Sequence, residues 1–414
     1  MEKQWNIVCG ADIPKKFLIA TILSRDGTKI TKRFGMTLDE LLNFKNWVIE
    51  NGCEQVAVES TGTYWVPIHT VLEGSIGLIV GNAYKIKHTP GNKNDLDDAD
   101  WIAELCLNGM IEPSRIFPKA DRDLRRLTRI REGYVNDMTR EKNRIHHALE
   151  SCGIKLSSVL SDVFGKAGQS ILSGLLEGRT IDDILKGVNL KRIKATAEEI
   201  REAIKGSLDF TQILLIRGSL EQMEAIQKRI NEIRKEIKSR IAYRKEDLKI
   251  AMSIPGVGFT SASTLLAEIG DITDFKKPEQ LASWAGLVPS VYQSAGKLIT
   301  GSITKHGSRH IRWILVQVAR VIARGRNSKL KRFFLRVKSK KGSNVAVVAL
   351  ARKILCILHH LLINREMYKE DGINKKIKID VGNEFSQREM DLEEMIKYII
   401  RAGYEVRKGS AGGG

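Results

Sequence analysis

The spacing of apolar residues in the first 80 positions constrains the fold of this chain more than any other feature. Strand-like alternation runs through residues 7–9, 17–23 and 30–34, and the breaks fall at Pro14 and at the Asp26-Gly27 turn. Short alternating runs joined by tight turns favour strands that pair with their neighbours in sequence. The pattern predicts three antiparallel strands.

The next elements follow in an order that identifies a fold class. A helix is predicted over 38–50 with Thr37 as its N-cap, and its buried face should carry Leu38, Leu41, Leu42, Trp47 and Val48. A short strand over 55–58 ends at Glu59, a helical segment covers 65–72, and residues 78–80 form another buried strand. Three antiparallel strands, then helix, strand, helix and strand, is the order of a ribonuclease-H-like domain. We therefore expect an α/β first domain.

Four carboxylates stand where that fold would collect them. Asp12 closes the first strand and Glu59 the fourth, while Asp95 and Asp98 lie three apart at the start of a helix. Hard oxygen ligands from strand ends and one helical turn suit two Mg²⁺ ions that flank a scissile phosphate. Taken singly, Asp12 can cap a turn and the acidic helix start can be solvated. Taken as a set, they predict a metal site, with Asp97 and Asp100 as bystanders.

The positive charge of the chain is concentrated in one stretch. Residues 280–365 contain seventeen Lys and Arg and no Asp or Glu, in a chain whose net charge is +19. Such a stretch repels itself unless a polyanion lies against it, which favours nucleic acid as the partner.

Five scattered cysteines without a CxxC pair argue against a disulfide framework or a zinc site and for a reducing, cytoplasmic setting. The longest apolar run, 343–363, is broken by Arg352 and Lys353, so no membrane span is expected.

The middle of the chain reads as helical. An arginine-rich helix over 121–149 has interleaved acidic residues, so it is either a solvated face or a surface that follows phosphates. Over 213–241, isoleucines and a methionine recur every seven residues, which predicts a coiled-coil helix. This helix packs either on its own domain or on a second copy of the chain, and the second case would make the protein an oligomer.

Two further segments carry candidate nucleic-acid contacts. Residues 253–271 resemble a helix–hairpin–helix, in which Gly256 and Gly258 form a tight turn whose backbone N–H groups can hold a phosphate. After it, Ser294 lies in a small-residue loop close to several cations. From chemistry alone, such a serine is usually a phosphate hydrogen-bonder. The predicted basic contacts are Lys297, Lys305, Arg309, Arg312, Arg320, Arg324 and Arg326.

Short motifs spread over residues 5–365 resemble one family, the DEDD transposases of the insertion-sequence-one-ten family of bacteria and archaea. The first half carries Gly10-Ala11-Asp12, Glu59-Ser60-Thr61-Gly62 and the Lys93–Ala99 motif KNDLDDA. The second half carries 254–258 (IPGVG), 285–289 (AGLVP), 294–297 (SAGK) and 303–307 (ITKHG). The combination is specific although each motif is short.

The resemblance implies a RuvC-like domain with a two-metal DEDD site, a coiled-coil linker and a mostly helical transposase domain with a catalytic serine. Asp12, Glu59, Asp95 and Asp98 would be the carboxylates, and Ser294 would form a phosphoserine with DNA. A structured bridge RNA from the element would choose target and donor DNA, and different subunits of a tetramer would supply the two halves of the active site. Pro14-Lys15 departs from the family pattern, as does Ala295 between Ser294 and Gly296. The second departure keeps Ser290 and Ser302 as alternative nucleophiles.

The resulting domain plan has five segments. They are a nuclease domain (1–150), a helical coiled-coil and oligomerisation region (151–250), a basic transposase domain (251–370), a helical tail (371–408) and an appended linker (409–414).

Three other functions fit part of the chain. A RuvC-like nuclease or junction resolvase that uses water explains the carboxylates but not the basic second half. A sugar kinase or ATPase also begins with an Asp-bearing strand, but the charge and the glycine pattern do not suit it. A non-catalytic RNA-binding protein would tolerate loss of all four carboxylates.

Overall fold

A computed structural model describes residues 5–60, 62–89, 98–189, 193–294, 297–305 and 307–370. The chain divides into two compact units, residues 1–117 and 118–414. The predicted tail at 371–408 and linker at 409–414 lie outside the described residues, as do Asp95 and Asp97.

The first unit contains a five-stranded sheet in the order β3-β2-β1-β4-β5. Strands β1, β2 and β3 pair antiparallel, whereas β4 pairs parallel with both β1 and β5. In chain order the elements are β1 (Ile7–Asp12), β2 (Phe17–Ser24), β3 (Lys29–Gly35), α1 (Leu38–Glu50), β4 (Gln55–Glu59), α2 (Trp65–Leu72), β5 (Gly77–Gly81), α3 (Ala83–His88) and α4 (Asp98–Leu107). The α/β prediction for this part of the chain is confirmed.

Helices cover both faces of this sheet. Helices α1 and α2 bury Phe44, Val48 and Ile68 against one face, and α4 buries Trp101 and Ile102 against the other. The cap of α1 is as predicted, since the Thr37 side chain accepts from the Glu40 backbone N–H. The predicted buried face of α1 was partly wrong. Leu38 and Leu42 are exposed and Phe44 is buried in their place, because the sheet covers a stripe centred on Leu41, Phe44 and Val48.

The second unit is mostly helical. Its elements are α5 (Lys119–Ser151), α6 (Leu156–Val159), α7 (Lys166–Leu176), α8 (Ile181–Lys186), α9 (Ala197–Ala203), α10 (Phe210–Arg240), α11 (Lys245–Met252), α12 (Phe259–Ile269), α13 (Pro278–Trp284), β6 (Pro289–Ser294), β7 (Lys297–Ile303), α14 (Arg309–Arg324), α15 (Lys329–Lys341) and α16 (Ser343–Asn364). The basic segment 308–341 forms two helices, α14 and α15, because Gly325 and the N-cap Ser328 interrupt it.

The coiled-coil helix α10 has its partner inside the chain. Helices α5 and α10 run antiparallel: Arg240 pairs with Asp123 at one end, and Leu149 and Ile216 share an apolar cluster at the other. Along α5, from Leu124 to Leu149, the residues that face α10 recur at spacings of four and three, which matches the heptads of α10. Helix α5 therefore belongs with the second structural unit, which begins at residue 118, and the domain boundary at residue 150 stays a prediction.

Residues 151–208 have an apolar core of their own. Ile154, Leu156, Ile171 and Ile200 are fully or almost fully buried there, together with the end of α5. This helical cluster caps one end of the α5–α10 pair.

Helix α16 is the one helix among the described residues that is long and apolar enough to cross a membrane. Leu350, Ile354, Leu355 and Leu358 on this helix are completely buried in the largest core cluster of the second unit. The helix therefore serves as the core around which α13, α14 and α15 pack.

Candidate functional site

Asp12 and Glu59 lie at the same edge of the sheet. Strands β1 and β4 are parallel neighbours, and their last paired residues are Ala11 and Val58. Asp12 and Glu59 each follow that pair by one residue, so both leave the sheet on one face at the carboxyl ends of adjacent strands. Both side chains are half-buried. The register places these two residues side by side, and their role as metal ligands stays a prediction.

Helix α4 brings a third carboxylate to the same face. A Cβ at Gly10 would lie 2.1 Å from the Ala103 backbone nitrogen and 2.5 Å from the Ala99 carbonyl oxygen, so only glycine lets α4 approach β1 this closely. Gly10 and Asp12 share a face of β1 because side chains alternate along a strand. Asp98 is the first residue of α4, directly before Ala99, and it is exposed. Asp98 is thereby held at the edge where Asp12 and Glu59 end their strands.

Asp100, two residues further along α4, has a different role. Its side chain is 7% exposed and accepts a 2.6 Å hydrogen bond from Thr21 Oγ1 on β2. Lys29 on β3 forms an ion pair with the same carboxylate. Asp100 therefore fastens α4 to the sheet. Asp100 was left out of the predicted set of metal ligands, and that set stays a prediction.

The donor set has the chemistry that Mg²⁺ requires, since carboxylate oxygens are the ligands that hard cations prefer. Among the residues that the structure describes, no three His, Cys, Asp or Glu side chains are grouped closely enough to hold a metal ion. Asp95, the fourth predicted ligand, lies outside those residues. The first unit thus aligns three carboxylate positions along one edge without a completed ligand cage.

In the second unit, Ser294 ends strand β6 at the tip of a two-stranded hairpin. It pairs with Lys297, the first residue of β7, across a two-residue connection. The alternative nucleophiles lie at the other end of the hairpin, where the Ser290 hydroxyl donates to the Ser302 carbonyl oxygen at 3.1 Å. Position at the tip distinguishes Ser294 from both alternatives.

The base of this hairpin is firmly attached to the helices. The Thr304 and Lys305 backbone N–H groups donate to the carbonyl oxygens of Val288 and Gly286. Arg312 Nη1 donates to the carbonyl oxygens of Ala285 and Gly307, both at 3.1 Å. Burial lowers the pKa of Arg312. Arg312 therefore has a structural role at the base of the hairpin, and its predicted contact with nucleic acid stays a prediction.

A buried carboxylate fixes the start of α14, directly after the hairpin. Glu268 on α12 is completely buried and accepts from Arg125 Nε at 3.0 Å and from Arg129 Nε at 2.7 Å. The Ser308 hydroxyl, which caps α14, donates to the same carboxylate at 2.7 Å. Burial by itself would raise the pKa of Glu268, but the hydrogen bond from Arg129 and the charges of Arg125 and Arg129 outweigh it and lower the pKa.

The Glu268 cluster was not predicted from the sequence. The arginines of α5 were expected to contact phosphates or to form a solvated face, whereas two of them bind an acid 143 and 139 positions away. The available signal was Glu268 itself, the one charged residue in the segment 259–270.

The remaining predicted basic contacts lie on the surface. Lys305, Arg309, Arg320, Arg324 and Arg326 are all exposed, and the side chain of Lys297 lies outside what is described. Helix α15 adds exposed cations that the prediction did not include, namely Lys329, Arg332, Arg336, Lys338, Lys340 and Lys341. Helices α14 to α16 contain no Asp or Glu. The absence of acidic residues from this part of the sequence is the signal from which the cations of α15 could have been predicted.

The predicted helix–hairpin–helix turn forms between α11 and α12. Gly256 adopts φ +80°, and a Cβ there would lie 3.0 Å from Ile322 Cγ1 of α14, so its α-carbon faces the core. Gly258 is the N-cap of α12, and a Cβ there would meet no atom within 4 Å. Of the two glycines, Gly258 has the open side.

Comparison with known proteins matches both halves of the chain. Residues 9–154 match the family model for the DEDD transposases of the IS110 type, and residues 248–335 match that of the IS116/IS110/IS902 transposases. The chain belongs to the IS110 family of DEDD transposases. It is 28% identical to the transposase of insertion sequence element IS1111A from Coxiella burnetii over 68% of this chain and 70% of that protein. It is 24% identical to a probable family 20 transposase of Pseudomonas aeruginosa over 76% and 85% of the two chains.

A shorter match connects this transposase with another DNA rearrangement. Over 112 residues it is 32% identical to the pilin gene-inverting protein of Moraxella bovis, which covers 27% of this chain and 35% of that protein. The protein is therefore an insertion-sequence transposase, an enzyme that acts on DNA.

Proposed function

We propose that this IS110 transposase cuts and rejoins DNA strands with a metal-binding carboxylate site and a serine nucleophile, Ser294. The observation that carries the proposal is the alignment of Asp12, Glu59 and Asp98 at one edge of a sheet whose strand order suits a ribonuclease-H-like nuclease. Two Mg²⁺ ions held by these residues and Asp95 would activate the attacking oxygen and stabilise the leaving oxygen.

In the proposed strand transfer, Ser294 Oγ attacks a DNA phosphorus atom and gives up its proton. An Oγ–P bond forms, the bond from phosphorus to the sugar oxygen of the departing strand breaks, and that oxygen takes up a proton. A hydroxyl of the new partner strand then attacks the phosphoserine and releases Ser294. The tip of the β6–β7 hairpin suits this role because it is the end opposite the base that is bonded to the helices.

The need to rejoin cut DNA ends favours the serine mechanism over a nuclease that uses water. A water nucleophile leaves free ends, whereas the inversion named for the Moraxella bovis relative requires that cut ends be joined again. A covalent phosphoserine conserves the energy of the cleaved bond for that step.

The exposed cations of α14 and α15 support a polyanion partner along the second unit. We propose that this partner includes a structured bridge RNA that pairs with target and donor DNA, as the family resemblance implies. The protein would then read backbone shape while base pairing supplies the sequence. The proposal includes an assembly of two or four copies, which a light-scattering mass of the RNA-bound protein would test.

Denaturing gel electrophoresis tests the serine step. Wild type, Ser294→Ala, Ser290→Ala and Asp12→Ala are incubated with labelled DNA, the RNA of the element and Mg²⁺. We expect a protein–DNA adduct that survives denaturation in wild type and Ser290→Ala, and none in the other two variants. Cleavage without an adduct, unchanged by Ser294→Ala, would establish a water-using nuclease instead.

The same gel tests the metal and the RNA. Omitting Mg²⁺ or adding a chelator should abolish the adduct, and omitting the RNA should do the same. An adduct that forms equally well without RNA would remove the guide from the mechanism and leave the serine chemistry intact.

A further inference from the structure

Helix α3 lies at the carboxylate edge of the first unit. Glu59 pairs with Gly81, the last residue of β5, and the Ser60 N–H donates to the Gly81 carbonyl oxygen at 2.8 Å. Helix α3 begins two residues after Gly81, at Ala83. The chain that follows Glu59 is thus bonded directly to the segment that starts α3.

The inner side of α3 is attached to α4. Ile86 is 5% exposed and packs in one apolar cluster with Trp101 and Ile102. Trp101 Nε1 donates to the Ile86 carbonyl oxygen at 3.2 Å. Because Trp101 lies in the first turn of the helix that begins with Asp98, α3 is held both to the strand end of Glu59 and to the helix start of Asp98.

With Ile86 facing inward, α3 presents an aromatic ring to solvent. Tyr84 is 71% exposed although one face of its ring stacks on the imidazole of His88, with centroids 4.0 Å apart and planes 24° from parallel. The His88 Nδ1 atom lies 2.7 Å from the Tyr84 carbonyl oxygen, which fixes the imidazole under the ring. Lys87, beside them, is also exposed. A flat, pre-oriented ring next to a cation is how proteins without sequence preference hold an unpaired base.

We propose that Tyr84 stacks on an unpaired base of the DNA strand whose phosphate lies at the carboxylate edge. This inference rests on the proposed function, which brings a DNA strand to Asp12, Glu59 and Asp98. It adds a specific contact: Tyr84 fixes the base next to the scissile phosphate, and so fixes which phosphate reaches the carboxylates. Lys87 would lie near the backbone of the same strand.

The alternative is that the Tyr84–His88 stack only stabilises a short helix, as aromatic pairs four residues apart can. That role predicts no selectivity for a base on the DNA. A test must therefore vary both the ring and the base.

The affinity of the full-length protein for a fluorescein-labelled, partly single-stranded DNA is measured by anisotropy in Ca²⁺. Stacking on one base typically changes the dissociation constant roughly fivefold to a hundredfold. We expect Tyr84→Ala to weaken binding by roughly fivefold or more, and Tyr84→Phe and Tyr84→Trp to bind like wild type because they keep a ring. Phe210→Ala removes a similarly exposed ring from α10, 78% exposed, and should bind like wild type.

An abasic site moved along the unpaired strand completes the cycle. At one position, loss of the base should weaken wild type by the factor seen for Tyr84→Ala and leave Tyr84→Ala itself unaffected. The proposal would be overturned if the losses of affinity from Tyr84→Ala and from the abasic site multiplied independently at every position. Unchanged binding by Tyr84→Ala, or an effect seen only with RNA of the same sequence, would overturn it as well. Because each comparison is made within one protein, a general loosening of α3 cannot imitate the single-position result.

This outcome is separate from that of the proposed function. If adducts form at Ser294 and the Tyr84 cycle fails, only the stacking role is lost. If no adduct forms and the cycle holds, the carboxylate edge binds an unpaired strand without the serine step.

Discussion

The Glu268 cluster allows a quantitative prediction about what holds α5, α12 and α14 together. The carboxylate is completely buried, whereas the side chains of Arg125 and Arg129 are 19% and 38% exposed. Replacing both arginines by methionine keeps most of their packing. Of the three partners named above, the buried Glu268 carboxylate then keeps Ser308. Removing the partners of a buried ion costs about 3–5 kcal/mol. Because Arg129 is partly screened by water, we expect about 3 kcal/mol for the double variant.

The pH dependence identifies the cause of that loss. In wild type the pKa of Glu268 is lowered, so its stabilising contribution is present above the unfolded value of about 4.3 and is lost as pH falls below it. In the Arg125→Met/Arg129→Met variant, burial dominates and the pKa of Glu268 is raised. The Glu268 carboxylate must then bind a proton when the variant folds, and the free-energy cost of that protonation grows as pH rises above about 4.3. The stability difference between the two proteins should therefore widen from pH 5 to pH 7.

Urea unfolding followed by hydrogen exchange of peptides from α12 and α14 measures this loss locally. Adding Glu268→Gln to the double variant supplies a neutral side chain of the same shape and should recover most of the stability. A loss below about 1 kcal/mol, a difference that does not change with pH, or no recovery with glutamine would each refute the assignment of Glu268 as a buried ion whose charge the arginines balance.

Three further predictions test the surroundings of the two candidate sites, and two of them include a control variant. Gly307→Ala and Gly342→Ala should each cost about 1–3 kcal/mol of backbone strain, because both glycines have positive φ. Gly307→Ala should lower the melting temperature more than Gly342→Ala does, because a Cβ at residue 307 would lie 1.9 Å from the Trp284 carbonyl oxygen whereas a Cβ at residue 342 would meet no atom within 4 Å. Equal decreases in melting temperature would contradict this packing. Arg312→Met should cost about 1–3 kcal/mol in thermal unfolding without DNA because two carbonyl groups lose their donor; unchanged melting with weaker DNA binding would instead make Arg312 a DNA contact. Gly10→Ala should push α4 from β1 and weaken Mn²⁺ binding measured by calorimetry, whereas Gly133→Ala, with open space around it, should not; equal Mn²⁺ affinities would refute the placement of Asp98.

Local sequence signals predicted the first unit well because most of its elements are set by short-range chemistry. The bounds of α1 and α2 and the end of β4 at Glu59 agree with the structure. A cap residue, a strand-length apolar run and a turn glycine each act within a few residues. The exposed Leu38 and Leu42 show the limit, since the buried stripe of a helix depends on where the sheet lies beneath it.

Long-range pairing could not be predicted in the same way. The heptads of α10 predicted a partner helix but not its identity, because a repeat of apolar residues fits any complementary repeat. The partner proved to be α5, whose own seam contains Thr128 and Arg131 among its apolar residues. Burial and the nearby charge of Arg234 lower the pKa of Arg131, a cost that a sequence pattern does not reveal.

Asp98 and Asp100 show what the structure adds to the sequence. They lie two residues apart in one acidic segment and are the same residue type. Asp98 was predicted as a ligand from its spacing to Asp95 and from the family motif, whereas Asp100 was left as a bystander. On the helix they separate: Asp100 turns toward β2 and β3 and is bound by Thr21 and Lys29, while Asp98 remains exposed at the helix start. The bound aspartate supports the exposed one, because a helix fastened through Asp100 and seated against Gly10 cannot rotate Asp98 away from the ends of β1 and β4. Loss of Asp100 should therefore impair the same step as loss of Asp98, although Asp100 lies outside the proposed set of metal ligands.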